Sequence, residues 1–438
     1  MKFTKFGKAL LLSALSAAVA LSVTSCVQSY TVGYLYVTGT ITSGTAGNGI
    51  ISGFNIDHNT GKLNPIDGLP VSSGGANPVR AVMATGGKFL YVLNRGANAS
   101  GGSDCTTADP CQNSNITQFV VGGNGILTSQ ETFYTQGINP FRILGDAAGN
   151  YIYVLDHDSP SSAACALALG SSATACGDIT VFQINPTTGR LQLVVNAQVT
   201  SASGAALPYF PVPANPIDFV MASGYLLTLS GTPATGDAVF PYTYNAASGQ
   251  LTVNQNTSQP LNIAQGKAIV SAGGYLYVLD NEPITANGAT SPSQILPFSI
   301  GSGGALQSQT GGIVPDDPTL SNPIYMIAEA KGKFLYTANQ GNSTDTTNSQ
   351  SGIAGYVIDP STHQLSFIAG EPFGSGAGPQ CIVEDPSNQF IYTANFNDST
   401  VTGRVVDPNS GVLNNMRVTS SYSLTGPPTW CVVSGRTS

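Results

Sequence analysis

The chain has 438 residues, a formal net charge of −8 and a sequence pI of about 4.7. Charged residues make up only 9% of it, against about 25% in an ordinary soluble protein. No run of Lys or Arg follows residue 25, which excludes the basic surface that a nucleic-acid-binding protein needs. We therefore expect no nucleic-acid partner.

The first 25 residues have the pattern of a lipoprotein signal peptide. Three lysines precede an apolar stretch, Ala9 to Val23, that is too short for a comfortable membrane span. The stretch ends in Val23-Thr-Ser-Cys26, which resembles the bacterial lipobox. We predict a signal peptide over 1–25, lipid on Cys26 as the only membrane attachment, and a linker over 26–32. The alternative is an ordinary signal peptide with a coincidental Cys.

This pattern predicts an exported protein anchored by lipid to the bacterial cell envelope. Val27, rather than an acidic residue, follows Cys26 and favours the outer membrane if the host has one. We expect the mature protein to be a monomer.

A short phrase, usually Phe/Tyr-Leu/Ile-Tyr followed by Val or Thr, recurs seven times after the linker. Its copies start at Tyr34, Phe89, Tyr151, Tyr225, Tyr275, Phe334 and Phe390. They lie 50 to 74 residues apart, and a β-rich unit that repeats at about 40–50 residues before insertions is typical of a propeller blade. The sequence therefore predicts an all-β, seven-bladed β-propeller over 33–438.

Each repeat predicts the same four strands. A turn, often Asn-Pro, precedes the inner strand, and a Gly turn leads to the repeated phrase. A variable loop, a third strand and a tight Thr-Gly hairpin then lead to the outer strand. The chain begins at a second strand and ends with the inner strand Thr429 to Ser434. We therefore predict that the C-terminal strand completes the first blade and closes the ring.

Six cysteines remain besides Cys26, and an even count in an exported chain indicates disulfides. Two pairs each flank a short loop, so we predict Cys105–Cys111 and Cys165–Cys176 bonds. Cys381 and Cys431 occupy matching positions in two inner strands, where they either pair across neighbouring blades or remain buried thiols. The chain has no Cys-x-x-Cys and only three His, so we predict no metal site.

The Pro turns and the variable loops lie on one face of the predicted disc, because antiparallel strands alternate in direction. This face carries the long insertions 96–115, 157–178, 282–294 and 340–352, and irregular loops on a rigid ring are where binding residues gather. His58 and His363 fall in hairpins on the opposite face, where they are expected to be exposed turn residues.

Several candidate site residues follow from this arrangement. The second residue after the turn Pro is Arg80, Arg142 and Asp218 in three consecutive blades, and paired Arg side chains suit a carboxylate or phosphate. A His with acidic neighbours suits proton transfer near neutral pH. The predicted catalytic residues are His157 and Glu282, and the predicted substrate-binding residues are Arg80, Arg142, Asp218 and Lys267. The alternative is an Arg–Asp lattice that lines the channel and holds water.

The repeated phrase, the Pro-led inner strands and the outer halves Ile179 to Leu191 and Ile353 to Leu365 together resemble the propeller lactonase family. This family includes bacterial 6-phosphogluconolactonases and is similar to carboxymuconate cyclases. The resemblance covers roughly 33–438 and implies lactone hydrolysis without a metal or other cofactor, with His and Arg/Glu side chains at the mouth of the ring. The inner-strand positions where the family would have a His hold Arg80, Arg142, Asp218, Ala268, Tyr325 and Cys381.

Two functional hypotheses follow. The first is an exported lactone hydrolase for a sugar-type or acidic lactone, in which Arg80 and Arg142 hold the anion and His157 or Glu282 activates water. The second is a non-catalytic surface propeller that binds a glycan, a small molecule or a protein. A glycosidase would need a carboxylate pair, for which Asp218 with Asp158, Asp280 or Glu282 are the candidates.

Overall fold

The repeated phrase forms the second strand of each of seven antiparallel sheets, which are the blades of a propeller. The computed structural model describes residues 30–41, 48–84, 86–201, 203–231, 236–253, 261–286, 288–309, 312–341 and 350–435. Each blade has four strands in a common order, and blades one, three, five and seven add a short fifth strand. The predicted fold class is confirmed. The signal peptide and Cys26 lie outside the described residues.

Blades one to three contain two of the four long insertions and helix α1. Blades one and two are built from β1 (Thr31–Thr40), β2 (Asn48–Asp57), β3 (Leu63–Pro65), β4 (Val71–Ala76), β5 (Pro78–Met83), β6 (Phe89–Asn94), β7 (Asn115–Val121) and β8 (Leu127–Phe133). Blade three contains β9 (Ile138–Gly145), β10 (Tyr151–Asp158), helix α1 (Ser162–Leu169), β11 (Gly177–Ile184), β12 (Leu191–Leu193) and β13 (Phe210–Val212).

Blades four and five follow the same plan, with a small extra ribbon in blade five. Their strands are β14 (Pro216–Ala222), β15 (Tyr225–Ser230), β16 (Ala238–Tyr244), β17 (Leu251–Val253), β18 (Gly266–Ala272), β19 (Tyr275–Asp280), β20 (Ile284–Ala286), β21 (Ala289–Ser291), β22 (Gln294–Ile300), β23 (Leu306–Ser308) and β24 (Val314–Pro315). A 3₁₀ turn spans Ser302–Gly304.

The last two blades lead to the strand that closes the ring. They comprise β25 (Pro323–Ala328), β26 (Phe334–Asn339), β27 (Gly352–Ile358), β28 (Leu365–Phe367), β29 (Pro379–Glu384), β30 (Phe390–Asn395), β31 (Thr400–Val406), β32 (Leu413–Asn415) and β33 (Ser421–Ser423), followed by β34 (Pro428–Gly435). Within the described parts of the chain, no helix has the length and apolar character needed to cross a membrane.

The second strands are largely apolar because neighbouring blades cover both of their faces. Every residue of β6, β26 and β30 is buried, which explains why the phrase is a continuous apolar run rather than an alternating one. The Asn of each Asn-Pro turn adopts a left-handed backbone, with φ between 50° and 59° at Asn77, Asn139, Asn215 and Asn322. Asn tolerates this conformation better than most residues, which accounts for the motif.

Tyrosines of the phrase link each blade to the next. The hydroxyl of Tyr36 donates a hydrogen bond to the Gly125 carbonyl, and Tyr91 donates to Gly189, each at the hairpin of the following blade. Tyr392 of blade seven donates to Gly61 of blade one at 2.7 Å, so the series runs across the closure. The glycine is required, since φ is +67° at Gly61 and a Cβ there would lie 2.4 Å from the Phe390 ring.

The C-terminal strand completes the first blade, as predicted. Strand β34 pairs with β1, placing Val37 opposite Cys431, and the order in this sheet is β3-β2-β1-β34. The seven inner strands contact one another in a circle, and β34 contacts both β29 and β5. The ring therefore has no unpaired inner edge.

Candidate functional site

The inner strands bring five large side chains together at the centre of the ring. They occupy the same position in their strands, two residues after the turn Pro: Arg80, Arg142, Asp218, Tyr325 and Trp430. These strands belong to blades one, two, three, four and six, so contacts among them span the central channel. We call this group the channel cluster.

Arg142 and Asp218 form an ion pair within the channel cluster. Arg142 Nε lies 3.2 Å from Asp218 Oδ1, and the two side chains are 19% and 6% exposed. The other Asp218 oxygen accepts a hydrogen bond from the Ile269 backbone N–H at 3.0 Å. Arg142 also donates to the Phe141 carbonyl. The guanidinium of Arg142 is therefore held in a fixed orientation.

Arg80 has a different environment, because its guanidinium lies flat on an aromatic ring. Its Cζ is 3.7 Å from the centroid of the Trp430 ring, and Tyr325 meets the same ring edge-on at 4.7 Å. Nη1 donates to the Val79 carbonyl at 2.8 Å. Among the described residues, no carboxylate lies within ion-pair distance of Arg80.

Burial lowers the pKa of Arg80 well below its usual range, and the charge of Arg142 lowers it further, against opposing effects of Tyr325 and Asp218. The burial and the neighbouring Arg142 charge both mean that the protein itself compensates the Arg80 cation poorly. An anionic group placed beside it would relieve the repulsion between the two guanidinium groups. The channel cluster is therefore suited to bind an anion.

His157 and Asp158 lie at the rim of the channel, where β10 ends on the Pro-turn face. His157 Nδ1 is 3.1 Å from Asp158 Oδ1, and the imidazole is 35% exposed. The His157 ring also lies 6.2 Å from the Phe141 ring, which is itself 5.2 Å from Arg142 Cζ. The structure thus brings the predicted His157 and Arg142 to the same side of the mouth.

Arg95 is a third cation at this mouth, in addition to the Arg80 and Arg142 predicted from the sequence. It begins the loop after β6, and its Nη2 donates to the Cys105 carbonyl at 3.2 Å. Its Nε is buried and has no hydrogen-bond partner among the described residues. Burial lowers the pKa of Arg95, as does the charge of Arg142, while Asp104 and Asp158 oppose the shift.

Glu282 and Lys267 both lie in blade five and are exposed. Glu282 accepts a hydrogen bond from Gln294 at 3.3 Å, and no described hydrogen bond or ion pair joins Glu282 or Lys267 to the Arg80, Arg142 and His157 side chains. The neighbouring Asp280 is fully buried and accepts backbone N–H groups of Ala264 and Gln265. Asp280 therefore holds a turn in place rather than facing a ligand.

All three cysteine pairs are bonded. Cys105–Cys111 and Cys165–Cys176 form as predicted, with Cα–Cα distances of 5.2 and 5.6 Å. Of the two alternatives for the remaining pair, the structure shows the bond: Cys381 in β29 is joined to Cys431 in β34. This bond ties blade seven to blade one beside the channel cluster, because Cys431 follows Trp430.

A buried pair of carboxyl groups lies beneath the rim. Asp156 on β10 is opposite Asp178 on β11, and both are 0% exposed. Thr180 donates to Asp156 at 3.2 Å, whereas neither oxygen of Asp178 has a conventional donor among the described residues. Burial raises the pKa of Asp156 to about 7, and burial together with the charge of Asp156 raises that of Asp178 well above its usual value. The pair therefore shares a proton at neutral pH.

No group of three or more His, Cys, Asp or Glu side chains in the described ranges is arranged to hold a metal ion. The side chains at the mouth are instead three Arg, one His, the Asp158 and Asp218 carboxylates paired with His157 and Arg142, and several hydroxyl and aromatic groups. Such a set can bind an anion, orient a neutral ring against aromatic faces and move a proton through His157.

Trp430 and Arg95 could have been found from the sequence. Trp430 follows Pro428 by two residues, which is the same rule that selected Arg80 and Arg142. Arg95 directly follows the repeated phrase that ends at Asn94. The Asp156–Asp178 pair carries a weaker signal, since its members are separated by a long insertion.

The chain belongs to the lactonase family of seven-bladed β-propellers. The family model described as "Lactonase, 7-bladed beta-propeller" matches residues 34–207 and 293–429, which together are more than half of the chain. A 6-phosphogluconolactonase of Bacillus subtilis (strain 168) is 30% identical over 82 residues. That match spans only 19% of this chain and 22% of the relative.

Solved structures share the fold over nearly the whole chain. A putative 6-phosphogluconolactonase from Bacteroides fragilis superimposes with a TM-score of 0.59 and 17% identity, covering 92% of this chain and 98% of that one. A periplasmic gluconolactonase from Pseudomonas aeruginosa gives a TM-score of 0.61 and 17% identity, covering 92% and 99%. At such identities the likeness establishes the fold, and the chemistry must be argued from the site.

Proposed function

We propose that this protein is a lipid-anchored, exported hydrolase that opens a sugar-type or acidic lactone without using a metal ion. Membership of the lactonase family supports the reaction class. The observation that carries the proposal is the Arg80 guanidinium, held over Trp430 at the ring centre with Arg142 beside it and no carboxylate partner in the described part of the chain. A lactone presents a carbonyl oxygen that becomes anionic during hydrolysis, and this is the charge that such a cation stabilises.

His157 is the proposed general base. The contact between Nδ1 and Asp158 favours a proton on Nδ1, which leaves the Nε2 lone pair free to accept a proton from water. The water oxygen attacks the carbonyl carbon, its proton passes to Nε2, and the carbonyl π electrons move onto the oxygen. The resulting oxyanion lies beside Arg80.

Collapse of this intermediate breaks the bond between the carbonyl carbon and the ring oxygen. The protonated His157 returns its proton to the departing alkoxide, so that the product is a hydroxy acid, whose carboxylate Arg80 and Arg142 would hold. Asp218 fixes Arg142 for this role. Phe141, Tyr325 and Trp430 supply apolar surfaces for the C–H faces of a sugar ring.

Glu282 and Lys267 are assigned lesser roles in this proposal. Both are exposed residues of blade five, so Glu282 is the second candidate for activating water, and Lys267 is a candidate for long-range attraction of an anionic substrate. Activity that survives loss of His157 but not loss of Glu282 would reassign the base.

Variants of the two principal residues test the chemistry. We expect Arg80→Gln to lower kcat by about 10²–10³-fold, the effect of removing one oxyanion donor. His157→Asn should lower kcat by about 10²–10⁴-fold, the value of a general base. Arg190→Gln and His363→Asn are matched controls, since both residues lie in hairpins on the opposite face. Equal losses in the controls, or none in the site variants, would refute the assignment.

A further inference from the structure

The loop that follows β6 crosses from blade two onto blade three, and a disulfide closes its tip. Cys105 and Cys111 enclose the segment that touches Asn139 and Asp158 of the neighbouring blade. The Cys111 N–H donates to Asn139 Oδ1 at 2.7 Å, and Asn139 Nδ2 donates to the Thr106 carbonyl at 3.2 Å. The loop tip is therefore fastened to the turn that precedes Arg142.

Asp158 receives hydrogen bonds from both blades. Thr107 Oγ1 donates to Asp158 Oδ1 at 2.9 Å, and Asn139 Nδ2 donates to Oδ2 at 3.1 Å. The same Oδ1 lies 3.1 Å from His157 Nδ1. Asp158 thus joins the disulfide-closed loop to the imidazole, and its carboxylate orientation is fixed from two sides.

We propose that Thr107 is a positioning residue for His157: held in place by the Cys105–Cys111 bond, it fixes the Asp158 carboxylate, which in turn fixes the His157 imidazole. The disulfide matters because Thr107 is exposed, and an exposed hydrogen bond from a free loop would be offset by the entropy of ordering that loop. The Cys105–Cys111 bond closes a short loop with a sequence separation of six. This closure reduces the entropy that the loop loses when Thr107 binds Asp158.

The proposal rests on the function proposed for His157, but its first test does not require turnover. Because Asp158 holds the proton on Nδ1, the two ring nitrogens of His157 should give distinct ¹⁵N signals, with Nε2 in its unprotonated position. The chain has only three His, and a His157→Asn sample identifies which signals belong to residue 157.

Thr107→Val removes the hydroxyl while keeping the shape, and Thr107→Ser retains it. We expect Thr107→Val, and the Cys105→Ser/Cys111→Ser double variant, to move the two His157 ¹⁵N signals towards each other as the tautomers mix. Thr107→Ser and the Cys165→Ser/Cys176→Ser pair should leave them in place. Unchanged His157 signals in Thr107→Val would overturn the proposal, whether or not the protein hydrolyses lactones.

Kinetics provide the second readout. Complete loss of a general base lowers kcat by about 10²–10⁴-fold. Misorientation of His157 in Thr107→Val should therefore lower kcat by about five- to tenfold and leave KM within about twofold of the wild-type value. Thr107→Ser should restore wild-type kcat. A change in KM alone would contradict a positioning role. If wild-type protein hydrolyses no lactone while the ¹⁵N signals respond as expected, the proposed function fails and the positioning role stands.

Discussion

Replacing Asp156 by Asn should remove much of the pH dependence of stability in this protein. Asp156 and Asp178 face each other on β10 and β11, fully buried and without a cation beside them in the described structure. Asp158 adds a further negative charge near Asp178, and the Tyr209 phenol lies close to the same carboxyl. The folded protein therefore favours the protonated pair, whereas the unfolded chain releases both protons near pH 4.

The size of this effect follows from the pKa of Asp156, which burial raises from 3.8 to about 7. A shift of about 3 units corresponds to about 4 kcal/mol at 1.36 kcal/mol per unit. Since the folded-state pKa is the higher one, this stabilisation is fully present below about pH 4 and is lost as the pH rises to about 7. Burial and the charge of Asp156 also raise the pKa of Asp178 well above its usual value, so Asp178 changes stability in the same direction.

An Asn at position 156 cannot ionise, and its amide can donate a hydrogen bond to Asp178. The Asp156→Asn protein should therefore gain stability relative to wild type progressively as the pH rises from about 4, reaching about 4 kcal/mol near pH 7. Denaturant unfolding followed through the single, buried Trp430 measures this difference at each pH. Asp67→Asn, at an exposed site, is the control for loss of one negative charge.

Parallel stability curves for wild type and Asp156→Asn across this pH range would contradict this prediction. Such a result would mean that the pair does not retain a proton in the folded state. A denaturant m-value that changes with pH would indicate that the unfolded ensemble changes with pH. In that case the unfolding free energies of the two proteins would be compared only at pH values where their m-values agree.

Two further predictions concern the ring and the anchor. Tyr392→Phe should destabilise the fold by about 1–3 kcal/mol, because it leaves the Gly61 carbonyl unsatisfied at the blade-seven to blade-one junction. The control is Tyr134→Phe, at a side chain that is 62% exposed, which should change the unfolding free energy by less than about 0.5 kcal/mol. Cys26→Ser should abolish incorporation of labelled fatty acid and release the protein from the membrane fraction of an expressing bacterium; retention with the membrane and continued labelling would contradict a lipid anchor at Cys26.

The fold could be predicted from the sequence because its evidence is repeated. Each copy of the phrase predicts the same buried second strand, and each Asn-Pro turn indicates a left-handed residue before an inner strand. Ring closure could also be predicted, since each end of the chain lacked the strand that the other supplied. The sorting of loops onto two faces needed only the alternation of antiparallel strands.

The side-chain contacts at the mouth could be predicted only in part. The rule for the second residue after a turn Pro found Arg80, Arg142 and Asp218. It could not show that Arg142 forms an ion pair with Asp218, or that Arg80 lies over Trp430. Residues 80 and 430 lie near opposite ends of the chain and meet only because the ring closes. Sequence position indicates a shared strand register, whereas the choice of partner depends on the distances between blades.

The least predictable features depend on insertions. Thr107 reaches Asp158 from a loop of another blade, and Asp178 meets Asp156 across an insertion of about twenty residues. Repeat periodicity does not apply within such segments, because each insertion occurs once. These contacts depend on loop conformations that the repeat does not encode.

The most direct test of the account is acid release by the purified protein against a panel of lactones near pH 7, with and without a chelator. A hydrolase of the proposed kind should turn over at least one sugar-type or acidic lactone with or without the chelator, and folded Arg80→Gln and His157→Asn variants should lose most of that turnover. No turnover across the panel by protein shown to be folded would contradict the proposed function, and the lactonase family would then describe the architecture of this chain rather than its activity.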